Sequence, residues 1–316
     1  MNTNKFSKTT YILGAVLLLL LVFLIVLPNF ANLYTIILLT SIMMYTVLTV
    51  SWTIFSGSTG YISLATAAFF GIGIYVSAVL SAKMPLVIIV ILSGIIAFGI
   101  AALVGALTLR LRGIYFTMFT LGLVELIRNF LTWYEIKFTG TRGRFVAVTD
   151  NETIYFIMLG IFVLLIITSF LIRRSKFGLA LKSIGEQEDA AGHSGVNVTL
   201  VKVVTFAISA FFMGAAGAVM ATKWTYIDPG IAFNIQLSFL PVLMAIFGGL
   251  TSLWGPILGG AAFAYLEELL LTKFPYYYML IFGVVLVITM LYLPGGIFGL
   301  VQKLRKRIAG GQRAHS

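Results

Sequence analysis

The sequence predicts an all-α integral membrane protein with about ten transmembrane helices. Three observations carry this. Of the 316 residues, 60% are hydrophobic and 10% charged, whereas soluble domains run near half apolar and about a quarter charged. The apolar residues gather into runs of about 20, the length that crosses a hydrocarbon core. The net charge of +11 sits in short loops and tails between those runs, the pattern of the positive-inside rule rather than of a nucleic-acid binder.

The spans are expected near 11–27, 32–55, 61–81, 86–109, 114–134, 153–172, 203–222, 232–249, 256–272 and 277–292. The first 27 residues carry Lys5 and Lys8 before an apolar stretch. They read as a retained span, because no clean small-x-small cleavage site follows. Gly248, Gly249, Gly255 and Pro256 interrupt the eighth and ninth spans, so one of these is either a full crossing or a re-entrant segment. With both termini inside, fourteen Lys and Arg fall inside, six outside, and Arg128 lies within a span. The chain thus reads as one transmembrane domain over 1–316, with a basic inner tail at about 300–316.

Composition also excludes chemistry. There is no Cys, so disulfides, thiolate metal sites and thiol catalysis are absent. The two His, His193 and His315, lie outside the apolar runs. No Lys follows a Gly, so no G-x-x-x-x-G-K-[ST] phosphate loop exists. The tail Ala309-Gly310-Gly311-Gln312 reads as flexible. No catalytic residue and no metal site is expected.

Two connections are long. Residues 135–152 fall outside and 173–202 inside. In the inner loop Phe177, Leu179, Leu181 and Ile184 are expected near one helical stripe, with Lys182, Glu186 and Asp189 elsewhere, and Gly192 and Gly195 ending the helix. Such a helix either lies on the inner membrane surface or docks into another protein.

Glu186, Asp189-Ala190-Ala191 and Gly195 resemble the EAA-type loop of permeases in ATP-binding cassette (ABC) importers. Five further blocks, in order along nearly the whole chain, resemble the Liv-type branched-chain amino acid permeases, in particular the LivM-like subunit. They are Gly57-Ser58-Thr59-Gly60-Tyr61-Ile62-Ser63-Leu64 running to Gly73, Leu111-Arg112-Gly113-Ile114-Tyr115-Phe116 running to Arg128, Ser175 to Leu181, Gly248 to Gly259, and Pro294 to Gly299. Departures from the family pattern are Ala65 for Gly, Thr141 in the outer loop, Gly185 for Arg and Leu179 for Arg.

The resemblance implies a permease with a cytoplasmic coupling helix between spans six and seven. Phe177, Gly178, Glu186, Glu188, Asp189, Ala190, Ala191 and Gly195 would meet a partner ATPase. It implies a second homologous permease, two ABC ATPases that bind the ATP and Mg, an extracytoplasmic substrate-binding protein, and a prokaryotic plasma membrane with both termini cytoplasmic. The implied substrate is a branched-chain or related amino acid. A urea or short-amide importer belongs to the same resemblance, and an ion-coupled secondary transporter is the rival from another class.

For the pathway, the hydroxyls of Ser58, Thr59 and Ser63 lie among glycines at the membrane boundary. They either line the pathway or serve tight packing. Glu125 and Arg128 sit three residues apart within a span. They either meet a zwitterionic substrate or pair with each other to hold helices in register. Glu267 and Glu268, like Arg142 and Arg144 in the outer loop, are carboxylates and cations placed to reach water or a binding protein. Ala210, Gly214 and Ala218, and Gly255 with Gly259, recur every four residues and predict close helix packing.

Overall fold

The computed structural model describes residues 19, 21–250 and 252–277, and positions 280, 281, 283, 284, 287, 296 and 299. Most of the spans expected at 11–27 and 277–292, the Pro294–Gly299 block and the basic tail lie outside the described residues.

Residues 21–26 are helical and end in a 3-10 turn, Leu27–Asn29. Then follow α1 (Leu33–Trp52), α2 (Thr66–Leu80), α3 (Leu86–Thr108), α4 (Ile114–Tyr134) and α5 (Asn151–Arg174). Two short helices, α6 (Lys176–Glu186) and α7 (Glu188–His193), precede α8 (Val198–Ala221). After them come α9 (Pro229–Ala232), α10 (Gln236–Gly248) and α11 (Trp254–Lys273). Two-residue strands β1 (Arg144–Phe145) and β2 (Tyr226–Ile227) pair antiparallel, Arg144 opposite Ile227.

Among the described residues, six helical stretches are long and apolar enough to cross a membrane. They are Leu33–Gly57, Leu86–Thr108, Ile114–Thr139, Asn151–Arg174, Val198–Ala221 and Pro229–Gly248. Two are lengthened by a π-helical turn, Thr53–Gly57 after α1 and Glu135–Thr139 after α4. The helix α11 is as long as α1, but Glu267 and Glu268 lower its apolarity. At 15 residues, α2 spans about 22 Å against a hydrocarbon core of about 30 Å. It starts later than expected, at Thr66, because the chain over 60–65 is irregular, with Gly60 at φ +76°.

The core forms where α8 packs against α2 and α3. Small residues make this possible. A methyl on Gly73 would overlap the carbonyl oxygen of Gly214, and one on Gly217 that of Phe70. Ala210, Gly214 and Ala218 are therefore packing residues, as their spacing predicts. The same device joins α10 to α11, where Gly255 abuts Gly248 and Gly249, and Gly259 abuts Met244.

The bundle has two chemically distinct ends. At one, the turn after α1, the end of α3, and α6–α7 converge. At the other lie β1, β2 and the residues around Tyr34, Lys223 and Glu268. The α9–α10 segment leaves the strand end beside β2 and reaches the opposite end, where Leu250 lies in one cavity wall with Gly57 and Gly178. The helix α11 returns, since Tyr34 Oη donates to Glu268 Oε1 at 3.5 Å. Both segments therefore run from one end of the bundle to the other.

Candidate functional site

The 173–202 loop folds against the bundle as two helices rather than one. Ser175 caps α6, its Oγ accepting from Gly178 N at 3.3 Å. Asn197 caps α8 by accepting from Leu200 N at 3.1 Å. Gln187, in extended conformation, separates α6 from α7. Gly192 does not end α7. The chain turns instead at Gly195, whose φ is +85°. Leu181, Ile184, Ala191 and Val201 form a small buried core with Phe177, Ala180 and Val196 packed on it. Leu179 departs from the expected stripe and is 68% exposed. It sits two residues from both Phe177 and Leu181, about 200° around the helix.

A single lysine fixes this loop to the bundle. Lys202, in the first turns of α8, has a side chain 3% exposed. Its ammonium has three donors and meets three acceptors: Glu188 Oε1 at 2.8 Å, the Leu109 carbonyl at 3.0 Å and Tyr61 Oη at 3.3 Å. The Tyr61 hydroxyl in turn donates to Glu188 Oε2. One cation thus joins α7, the end of α3 and the break after α1. Burial raises the Glu188 pKa, but the bonds from Lys202 and Tyr61 outweigh it and hold the carboxyl below its usual 4.5. Beside it, Asp189 pairs with Arg112 at 2.8 Å on the surface, which lowers the Asp189 pKa.

The loop also touches the Gly57–Ser63 break directly. A methyl on Gly185 would overlap the Ser58 carbonyl oxygen. Glycine stands there, where the resembling family usually has Arg, because α6 lies against backbone. Within the break, Trp52 Nε1 donates to the Ser63 carbonyl at 2.7 Å and Thr59 Oγ1 donates to Phe55 O at 2.8 Å. Ser63 Oγ accepts from Ala65 N at 3.3 Å, and Leu64 N donates to Thr120 Oγ1 at 2.9 Å. The hydroxyls of Thr59 and Ser63 therefore help satisfy the irregular backbone, which membrane burial demands. Ser58 lines a cavity of about 290 Å³ shared with Arg173, Lys182 and Leu250.

The expected residues thus divide into separate places. Glu188, Asp189, Ala191, Phe177 and Gly178 lie in the docked loop, with Ser58, Thr59 and Ser63 next to them. Glu186 is exposed and reaches Lys182 at 3.8 Å. Ala190 and Gly195 are also exposed. Glu125 and Arg128 pair at 2.6 Å on α4. Among the described residues no hydrogen bond or ion pair joins them to the break.

At the strand end, Arg142 and Arg144 meet partners within the chain. Arg142 reaches Asp228 at 3.7 Å, and Arg144 reaches Glu135 at 3.3 Å. Glu135 is buried and also accepts from Gly143 N at 2.8 Å and Tyr75 Oη at 3.3 Å. In the sequence Glu135 opens the outer loop and Lys202 closes the inner one, and nothing local to either signals its burial. Among the described residues no group of three or more His, Asp or Glu could hold a metal ion.

A multi-pass helical bundle with a docked, partly charged loop at one end has the form of a membrane transport subunit. The chain belongs to the family of the branched-chain amino acid transport system permease component, whose model matches residues 34–290. It is similar to the high-affinity branched-chain amino acid transport system permease protein LivM of Escherichia coli strain K12, 26% identical over 94% of this chain and 78% of that protein. It is likewise similar to LivM of Salmonella typhimurium, 26% identical over 87% of this chain and 73% of the relative. The xylose transport system permease protein XylH of Haemophilus influenzae is 27% identical over 46% of this chain and 40% of its own length. No solved structure matches the chain significantly.

Proposed function

We propose that the chain is the transmembrane permease subunit of an ATP-driven importer for branched-chain or related amino acids. The observation that supports this most is the docked pair α6–α7. It faces outward with Leu179, Lys182 and Glu186, and inward it bears on the Gly57–Ser63 break through Gly185 and through Glu188, which meets Tyr61 and Lys202. A push on α6–α7 therefore reaches the bundle interior without a flexible link between.

In this reading α6–α7 is the coupling element, its end of the bundle is cytoplasmic and the strand end is extracytoplasmic. The stretches 11–27 and 277–292 complete ten crossings of a prokaryotic plasma membrane, with both termini cytoplasmic. Two partner ATPases bind ATP and Mg, a second homologous permease completes the channel, and a binding protein delivers substrate. Closure of the ATPases moves α6–α7, which tilts the α1–α2 break and opens the pathway inward by alternating access. Ser58, Thr59 and Ser63 border the pathway at its inner end. The Glu125–Arg128 pair holds α4 in register or meets the substrate, and swapping the two charges separates these roles. This chain performs no chemistry on the substrate.

The test is uptake into vesicles holding the full transporter. Leucine, isoleucine, valine, urea and xylose serve as competing substrates. ATP-dependent uptake of leucine, displaced by isoleucine and valine, is the expected outcome. Uptake that persists without the ATPases but collapses with the ion gradient overturns the reading, and preference for xylose or urea overturns its substrate.

A further inference from the structure

A second site lies at the strand end, between α1, the end of α8, the α9–α10 corner and α11. It is a cavity of about 440 Å³. Its apolar wall is made by Met44, Phe70, Met220, Leu237 and Leu240. Its polar wall holds Ser41, Tyr45, Asn234, Gln236, Glu267 and Glu268.

Two features of the polar wall point to a ligand. The first is Glu267. Its Oε1 accepts from Tyr45 Oη at 3.4 Å. Its Oε2 is shielded from solvent, and no described group donates to it. A carboxylate oxygen in such a place is costly, and an intramembrane carboxylate that lines a cavity marks a place of function by default. The second is Lys223. Its Nζ donates to Ser41 Oγ at 3.4 Å, which puts the ammonium one hydrogen bond from a residue that lines the cavity. Among the described residues it has no carboxylate within ion-pair distance. The cavity thus has a carboxylate oxygen without a described donor in its polar wall, an ammonium one hydrogen bond behind the lining residue Ser41, and an apolar wall. The complement of that arrangement is a molecule with an ammonium, a carboxylate and an apolar side chain. A pentose has neither charge.

We propose that this cavity is a binding site for an α-amino acid with an apolar side chain. Glu267 takes the ammonium, Lys223 with Asn234 and Gln236 takes the carboxylate, and the wall of Met44, Phe70 and Leu240 takes the side chain. The site deepens the proposed function and rests on it. Substrate released at the strand end meets this cavity far from the Gly57–Ser63 break, so it is held before the inner end opens.

The experiment measures radiolabelled leucine binding to the purified permease–ATPase complex in nanodiscs, with no binding protein present. Two leucine analogues compete, 4-methylpentanoic acid lacking the ammonium and 3-methylbutylamine lacking the carboxylate. Expected are saturable leucine binding, weakening of tenfold or more in Glu267→Gln and in Lys223→Met, and poor competition by either analogue. Glu267→Gln preserves shape, and its elution and melting temperature report folding. Leu240→Trp, which fills the cavity from the apolar side, should abolish binding independently of charge. Wild-type affinity in Glu267→Gln or Leu240→Trp overturns the proposal. So does a complex that imports leucine with ATP yet binds none without the binding protein, a result that leaves the transport function standing. A complex that imports no amino acid overturns both.

Discussion

Replacing Lys202 with methionine removes one charge and nearly no volume, so it isolates what the ammonium does. The side chain is 3% exposed and its partner Glu188 20%. Methionine leaves the Glu188 carboxylate without its cation and the Leu109 carbonyl without its donor. Breaking a buried pair from one side costs about 3–5 kcal/mol. Glu188 keeps the Tyr61 hydroxyl and some water, so the low end, about 3 kcal/mol, applies to the docked state of α7. At 1.4 kcal/mol per decade that shifts the docking equilibrium by roughly a hundredfold. Hydrogen exchange followed by mass spectrometry on peptides covering 186–198 reads this directly, because Ala191 N and Val196 N are bonded only while α7 is formed. Protection there should fall by about two decades while α3 and the core of α8 stay protected. Adding Glu188→Gln should restore part of it by removing the stranded charge. Unchanged exchange in α7, or a double variant no better than Lys202→Met, would refute the reasoning.

Glu188 has a lowered folded pKa, so its contribution to docking is complete above its unfolded value and is lost as pH falls through the folded one. The same exchange experiment at stepped pH should show α7 protected at pH 6 and released only in acid below the usual carboxylate range; release near neutrality would contradict the assignment. Gly73→Ala should lower the melting temperature of the purified protein, since its methyl meets the Gly214 backbone; overpacking of this kind costs about 1–3 kcal/mol. Gly99→Ala, whose methyl meets nothing within 4 Å, should be neutral or slightly stabilising. Gly185→Arg should separate α6 from the Ser58 backbone, raising exchange across both 57–63 and 176–186, and an unaltered 57–63 segment would argue against direct contact. Glu135→Gln should loosen the β1–β2 pairing at a cost of about 1–3 kcal/mol, visible as easier proteolysis after Arg142 or Arg144.

Much of this architecture is legible in the sequence, because lipid imposes a simple rule. Apolar runs of sufficient length become helices, and the limits of α1, α3, α4 and α5 follow from them within a few residues. The inner loop's helix is legible too, from the spacing of Phe177, Leu181 and Ile184. What cannot be read locally is anything fixed by a distant partner. Nothing in the run Gly185-Glu186-Gln187-Glu188 signals a break, yet one occurs as Glu188 turns to Lys202, 14 residues on. Lys202 looks like any cation flanking a span, and its burial depends on Leu109, 93 residues away. Arg142 and Arg144 look available to a partner, but Asp228 and Glu135 hold them. Strands two residues long have no pattern to detect.

The burial of α2 has a consequence in time. The ribosome adds about 5–20 residues per second, so roughly 7–30 s separate the end of α2 at Leu80 from the end of α8 at Ala221. For that interval the glycine face of α2 lacks the surface it fits, and its 15 residues are short for a bilayer. This helix must be sheltered by the insertion machinery or lie loosely at the interface until α8 arrives. Chains halted before Val198 should leave a cysteine placed at the buried Ser77, one turn along from Gly73, open to labelling, and chains halted well after Ala221 should hide it.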